Sequence, residues 1–279
     1  MWTLLQIELF KIFKRPRTYI SFAAIAAIVL LIQLALYVDA NTYVDLLLQS
    51  IRSDYTIDGL IPNGYFVCYF ILQTLLIHVP LLIALVGGDM IAGEANMGTL
   101  RLLASKPVSR SSLLLAKFTA TTVYTLLLLI WMAFLSLLLS VFIFGTGDLM
   151  VFKSNEIIQH KEADVLWRYI AAFGFAAIAM TSVAALSFFL SLFAENSIGP
   201  IVATMSIVIV FTILTTMDLP LFNLMKPYLF TSHMLGWKGF FDKPVQYGSV
   251  FKSAGVLLLH IVGLVGATIY IFRKKDILS

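Results

Sequence analysis

Residues Phe118–Phe144 read FTATTVYTLLLLIWMAFLSLLLSVFIF, a run with no acid, no base and no proline. A bilayer core about 30 Å thick is crossed by roughly 20 apolar helical residues, so this run is long enough to span one. Five further stretches have the same character: Thr18–Val38, Tyr65–Gly88, Tyr169–Phe193, Ile198–Met217 and Ser253–Phe272. Apart from His78 and His260, the six contain no titratable acid or base. The rest of the chain agrees. Hydrophobic residues make up 60% of its 279 positions and charged residues 12%, and mean hydropathy is +0.95. A soluble domain carries about 25% charged residues, so half of the polar surface needed to coat a water-facing globule is missing. The same numbers exclude a disordered chain and a nucleic-acid-binding domain. The single cysteine, Cys68, makes no intrachain disulfide and no multi-thiolate metal site. The expected fold is an all-α membrane protein with six transmembrane helices and an N-terminal amphipathic interfacial helix.

Orientation follows from the lysines and arginines beside the spans. With the N-terminus in the cytoplasm, eleven basic residues fall inside and eight outside, against five and ten acids. The inside bases flank the first, third and sixth spans. Both termini are therefore expected in the cytoplasm. The first span is read as a retained anchor, because 21 apolar residues exceed the 7–15 of a signal-peptide core.

Residues Met1–Arg17 precede that span. Trp2, Leu5, Leu9, Ile12 and Phe13 fall on one helical face, and Lys11, Lys14 and Arg15 on the other, the pattern of a helix lying in the interface plane. Pro16 should end it before the chain turns into the membrane. A simple positive-inside anchor and a connecting elbow helix both fit, and the sequence leaves the two open. The domain reading is 1–17 for this helix and 18–279 for the six-span body.

The connections are unequal. Residues 39–64 and 145–168, expected outside, are polar and too short for a folded receptor domain. The external segment 218–250 holds Phe222, Tyr228, Phe230, Trp237, Phe240, Phe241 and Tyr247, while Pro220, Pro227, Pro244, Gly236 and Gly239 forbid one continuous helix. Aromatic rings favour the membrane interface, so the segment is expected as an aromatic belt or a re-entrant stretch. Irregular backbone at membrane depth requires protein cover.

The main cytoplasmic loop, 89–117, contains Gly93-Glu94-Ala95-Asn96-Met97-Gly98-Thr99-Leu100-Arg101-Leu102-Leu103-Ala104-Ser105-Lys106-Pro107-Val108-Ser109-Arg110. Asn96–Ser105 reads as a short amphipathic helix ended by Pro107, and Ser109 as the cap of the helix feeding the third span. An acid, then Gly-Thr-Leu, Leu-Leu and Pro-x-Ser-Arg, followed by a helix and Lys117, resembles the ABC-2 type permease family of ATP-binding-cassette transporters. The likeness extends in layout to the N-terminal amphipathic helix, the six spans, the cytoplasmic ends and the aromatic stretch between the last two spans. The resemblance implies that this loop carries a coupling helix seated in a groove of an ATPase subunit. By it, Glu94, Gly98, Thr99, Leu100, Arg101, Leu103, Lys106, Pro107, Ser109 and Arg110 are the ATPase-coupling residues. The small external loops depart from members that dock extracellular partners through an ectodomain.

The chain has no G-x-x-x-x-G-K-[ST] phosphate loop. On this reading ATP and magnesium belong to a separate ABC ATPase subunit, and no metal or cofactor is expected in this chain. The expected function is the permease subunit of an ATP-driven exporter of an amphipathic or lipid-like substrate or a peptide, paired with a second permease, identical or related, in a bacterial inner membrane. A stand-alone secondary transporter or channel is the alternative. That class usually shows internal repeats with broken helices and midplane acids, and neither is evident. A membrane hydrolase would need H-E-x-x-H or a serine–histidine set, also not evident.

Among polar residues within the spans, Gln33, Gln73 and His78 are candidates for a translocation path. Each also has a structural reading: interhelical hydrogen bonds for the glutamines, and for His78 a bond to a carbonyl freed by the Pro80 kink. Ala172 with Ala176, and Gly263 with Ala267, form small-xxx-small pairs that allow close helix packing.

Overall fold

A computed structural model of the protein describes residues 1–48, 62–75, 78–99, 108–153, 156–217 and 220–274. Helix α1 spans Trp2–Lys14 and α2 spans Pro16–Leu48, with a non-helical residue at Asp39. Between them Arg15 is extended, at φ −87° and ψ 132°. Pro16 causes this: its ring excludes the helical region for the residue before it, while its fixed φ suits the first position of a new helix.

The next apolar stretch forms two helices, α3 (Gly64–Leu75) and α4 (His78–Gly87), bent by 54°. Helix α5 (Asp89–Asn96) follows directly. Helix α6 (Arg110–Ala133) continues through a π-helical turn at Phe134–Leu139 into α7 (Ser140–Phe144). Strands β1 (Leu149–Lys153) and β2 (Glu156–His160) pair antiparallel, Val151 opposite Ile158. Helices α8 (Glu162–Ser191), α9 (Ile198–Thr216) and α12 (Tyr247–Lys274) complete the bundle. Between α9 and α12 lie α10 (Pro220–Asn223), a 3₁₀ turn at Lys226–Tyr228, α11 (Phe230–Met234) and a 3₁₀ stretch at Leu235–Phe241.

Among the described residues five helices are long and apolar enough to cross a membrane, or six if α3 and α4 count as one broken span. The protein is an integral, multi-pass, almost wholly helical membrane protein. Helix α8 is its axis, half of its apolar window being buried, against 17% for α9 and 22% for α12. Tyr169, Phe175, Val183, Ala184 and Phe188 fill the centre. Helices α2, α9 and α12 instead expose rows such as Leu30, Leu31 and Leu34, or Val202, Ile209 and Ile213, as lipid-facing helices do. Close packing also fixes Gly64: a Cβ there would lie 2.4 Å from the Val141 backbone, so no larger residue lets α3 approach α7 this closely. Of the two small-residue pairs, Ala172 is buried in α8. Gly263 is exposed and has no heavy atom of this chain within 4 Å of a would-be Cβ.

The aromatic segment is broken as its prolines and glycines require, and it divides. Tyr228 and Tyr247 are exposed, whereas Phe230, Trp237 and Phe241 are buried. Phe241 stacks edge-on against Tyr69 and Tyr169, at 5.2 and 5.1 Å between ring centroids. The irregular backbone is covered and satisfied by neighbours: Arg168 donates to the Phe240 and Asp242 carbonyls, and His160 Nε2 donates to the Phe241 carbonyl. The β-hairpin, expected only as a polar connection, is what brings His160 there. Its signal was the alternation of Leu149 and Val151, inward, with intervening outer positions.

Candidate functional site

The ends of α8 separate the bundle into two poles. Glu162 starts beside the hairpin, and Ser191 finishes against α5, where Ser191 Oγ accepts from the Ile91 and Ala92 amides at 3.0 and 2.8 Å. Those amides belong to the first turns of a helix, which leave donors without partners. Asp89, on the first turn, pairs with Arg17 at 2.7 Å and also with Arg15 and the Ser197 hydroxyl. The acid suits the helix N-terminus, and the two arginines bind the α1–α2 corner to it.

One turn further along α5 is Glu94. Its Oε1 lies 2.9 Å from Lys11 Nζ and 2.7 Å from Lys117 Nζ. Both lysines also reach Glu8, at 2.9 Å each. The four side chains form a closed ring of alternating charge, Glu8–Lys11–Glu94–Lys117, joining α1, α5 and α6. Lys117 is 1% exposed, and Glu8 and Glu94 are also buried. Only the Lys11 corner opens to solvent, its side chain being 34% exposed. Burial alone would push the Glu8 carboxyl up, but Lys117 and Lys11 outweigh it and hold it below the usual range. Burial likewise pulls Lys11 down, and its bonds to Glu8 and Glu94 carry it above the usual range.

The buried side of α1 takes in part of its apolar face and an acid beside it, with Leu5 and Leu9 packed on the core. Glu8 and Ile12 are buried, while Trp2 and Phe10 are 70% and 66% exposed. The missed signal was an acid at position 8, within the Leu5–Leu9–Ile12 face. Lys117, on the brink of an apolar run, was the other. Such a ring is an electrostatic clasp between the three helices. It is neutral when whole, and removing any corner strands a buried charge, so the three helices are bound to move as one piece.

The expected coupling residues fall on either side of an interval outside the described residues. Glu94 is in the ring. Asn96, the expected first residue of a coupling helix, is instead the last residue of α5. Gly98 turns the chain at φ +67°, its amide donating to the Ala95 carbonyl and that of Thr99 to the Glu94 carbonyl. This pair of bonds is the Schellman ending, which favours glycine because a Cβ resists positive φ. Leu100, Arg101, Leu103, Lys106 and Pro107 lie outside the described residues. Ser109 caps α6 as expected, its Oγ accepting from the Ser112 amide at 3.1 Å. Arg110 Nη1 donates to the Phe272 and Arg273 carbonyls at 3.4 and 3.3 Å, binding the start of α6 to the end of α12.

The path candidates do not converge. Gln33 Nε2 donates to the Leu135 carbonyl and the Ser140 hydroxyl, both at 2.8 Å, bridging the π-helical turn between α2 and α7. Gln73 accepts from Lys238 at 3.2 Å near the surface. His78 Nδ1 sits 3.0 Å from the Thr74 carbonyl, on the backbone flanking the α3–α4 bend. Among the described residues, no group of three His, Cys, Asp or Glu side chains could hold a metal ion.

Comparison with known proteins bears on this arrangement. A model of the family described as "ABC-2 family transporter protein" matches residues 2–277. A protein of Bacillus subtilis (strain 168) named "Uncharacterized protein YhcI" is 28% identical over 155 residues, 52% of this chain and 49% of its own length. That match spans about half of the relative. The family match runs over nearly the whole helical bundle, and the chain belongs to the ABC-2 family of transporter membrane proteins.

Proposed function

We propose that this chain is the permease half of an ATP-driven exporter, with an ABC ATPase seated against the loop that follows α5. As an ABC-2 family protein it is a transporter membrane subunit rather than an enzyme, and the family implies pairing with an ABC ATPase subunit. The observation that carries the coupling reading is the ion ring. It ties α5, α1 and α6 into one block that flanks residues 100–107 in sequence. A push on that loop then reaches α2 through the Arg15–Asp89 corner, α6 through Lys117, and α12 through Arg110.

On this reading α3 and α4 make one broken span, giving six, with both termini in the cytoplasm. Residues 1–17 form the interfacial helix and 18–279 the six-span body. Glu94, Gly98, Thr99, Leu100, Arg101, Leu103, Lys106, Pro107, Ser109 and Arg110 make up the coupling element. ATP and magnesium are held by the partner, and a second permease, identical or related, closes the path in a bacterial inner membrane. The cargo is amphipathic, lipid-like or a peptide, in keeping with an apolar, sparsely charged bundle. The test is capture of the ATPase by tagged permease at equal membrane levels. Arg101→Glu should abolish capture or leave the bound ATPase uncoupled, because like charges juxtaposed at an interface cost several kcal/mol. Wild-type capture and wild-type stimulated ATP hydrolysis by Arg101→Glu would remove the assignment.

A further inference from the structure

His160 ends strand β2 and is 1% exposed. Its Nε2–H donates to the Phe241 carbonyl at 3.0 Å, and its ring lies edge-on to the Phe241 ring, 6.3 Å between centroids. A carbonyl only accepts, so this bond fixes the proton of the neutral imidazole on Nε2. Nδ1 keeps a bare lone pair, buried and, among the described residues, without a hydrogen-bond partner. Buried side-chain polar atoms are nearly all paired, and an exception carries a cost.

The segment held by this bond contributes to the core. The 3₁₀ stretch Leu235–Phe241 buries Trp237 and Phe241, and the Phe241 ring packs on both Tyr69 of α3 and Tyr169 of α8. Arg168 ties the same stretch to α8 through the Phe240 and Asp242 carbonyls, and Lys153 ties it to β1 through the Asp242 carboxylate at 2.6 Å.

Charges surround His160 from three sides. Helix α8 supplies Arg168 and Asp164, which pair at 2.6 Å; the chain after the stretch supplies Asp242 and Lys243; and β1 supplies Lys153. Tyr69 and Tyr169, behind the Phe241 ring, are of a type uncharged near neutrality. Burial holds the imidazole below its usual range, with the Arg168 and Lys243 charges acting in the same sense and the Phe241 carbonyl and Asp164 opposing them. A second proton has to sit on Nδ1, where no acceptor stands and Arg168 already brings positive charge. Water accommodates that proton better, so acid favours a form in which the ring has left its place and the bond to Phe241 is broken.

We propose that His160 is an acid-released latch: a proton on Nδ1 frees the Leu235–Phe241 stretch from the hairpin and loosens α3 against α8 at this pole. The closed form is complete above the usual imidazole range and is lost as pH falls through the lowered value. With the N-terminus in the cytoplasm, the acidity that acts on the latch is external. It lies at the opposite pole from the ion ring and needs no ATPase, so its failure leaves the permease reading untouched.

The test is amide hydrogen exchange on the full-length protein in phosphatidylcholine nanodiscs between pH 8 and pH 5, the interval in which an imidazole titrates. Each rate is corrected for the intrinsic pH dependence of exchange. Protection of residues 235–242 should fall severalfold as pH drops below about 6.5, the ordinary imidazole value, while the core of α8 around Val183 and Phe188 stays protected. His160→Gln keeps a donor for the Phe241 carbonyl and does not titrate, so its protection should be independent of pH over this interval. Asp164→Asn, at a carboxylate side chain that is 48% exposed, and His233→Gln, at the other histidine of the 218–250 segment, should both retain the fall. Wild-type protection of 235–242 that does not change with pH overturns the proposal. So does a fall that persists in His160→Gln, or one that Asp164→Asn or His233→Gln removes, since each puts the trigger on another group. The wild-type profile and the last two variants leave His160 in place, so they remain decisive even if His160→Gln fails to fold.

Discussion

Lys117 of α6 meets Glu8 of α1 at 2.9 Å, although they are 109 positions apart in sequence, and the lysine is 1% exposed. A buried pair of this kind adds little net stability over an apolar replacement, because both charges must leave water. Its effect is specificity of placement. Helix α1 cannot slide or lift without taking Glu8 from Lys117 and Lys11 from Glu94 together.

Lys117→Met should therefore destabilise the protein by about 3–5 kcal/mol, since it leaves Glu8 and Glu94 buried with Lys11 alone. The double variant Lys117→Met with Glu8→Gln should recover much of the loss, because two of the four charges go together. Thermal unfolding in detergent reads both. A double variant no better than the sum of its singles would show that the ring is not an electrostatic unit.

The ring also sets a pH window. The Glu8 carboxyl is depressed in the folded state, so its contribution is present above the usual carboxylate range and is lost as pH falls through its lowered value. Lys11 is raised, so its contribution is complete below the usual lysine range and lost only as pH rises through its raised value. The stability difference between wild type and Glu8→Gln should be flat around neutrality and shrink as pH falls below the carboxylate range. A difference that stays constant from pH 7 to pH 3 contradicts the ring.

Gly98 tests the end of α5. Gly98→Ala must hold an L-residue at φ +67°, at a cost of about 1–2 kcal/mol. Gly98→Pro is harsher, because the ring fixes φ near −65° and removes the amide that donates to Ala95. Gly98 is outside the apolar spans, so membrane levels should hold for both variants. ATPase capture should fall modestly for the first variant and be lost for the second, and equal capture by both would separate this turn from coupling.

Orientation is checked by thiol labelling. Cys68 is fully buried, at 0% exposure, and should stay silent, leaving single cysteines placed at Gln159 in the hairpin and at Met97 after α5. With the N-terminus in the cytoplasm, an impermeant maleimide added to intact cells should label the first and not the second. The reverse pattern would invert the topology and move the 89–117 loop to the wrong side of the membrane for an ATPase.

Much of this architecture was legible residue by residue, because its causes are local. A run of apolar residues needs no partner to declare a span. Pro16 forces Arg15 out of the helical region, Ser109 caps α6 through its own next turn, and the prolines and glycines of 218–250 break the backbone wherever they sit. What joins the elements was not legible. Lys11 and Glu94 are 83 positions apart, and Gln33 and Ser140 are 107 apart, and nothing local to either member of a pair names the other. Glu8 was not singled out in the sequence, and it lies on the buried side of α1. Gln33 was open to two readings, a path residue or an interhelical hydrogen bonder, and it bonds across helices to Leu135 and Ser140. An apolar side chain gains from burial against almost any neighbour, so composition suffices to place it. A buried charge or amide is tolerated only where a particular partner stands at hydrogen-bond distance, and that condition is met by the packing of distant helices alone.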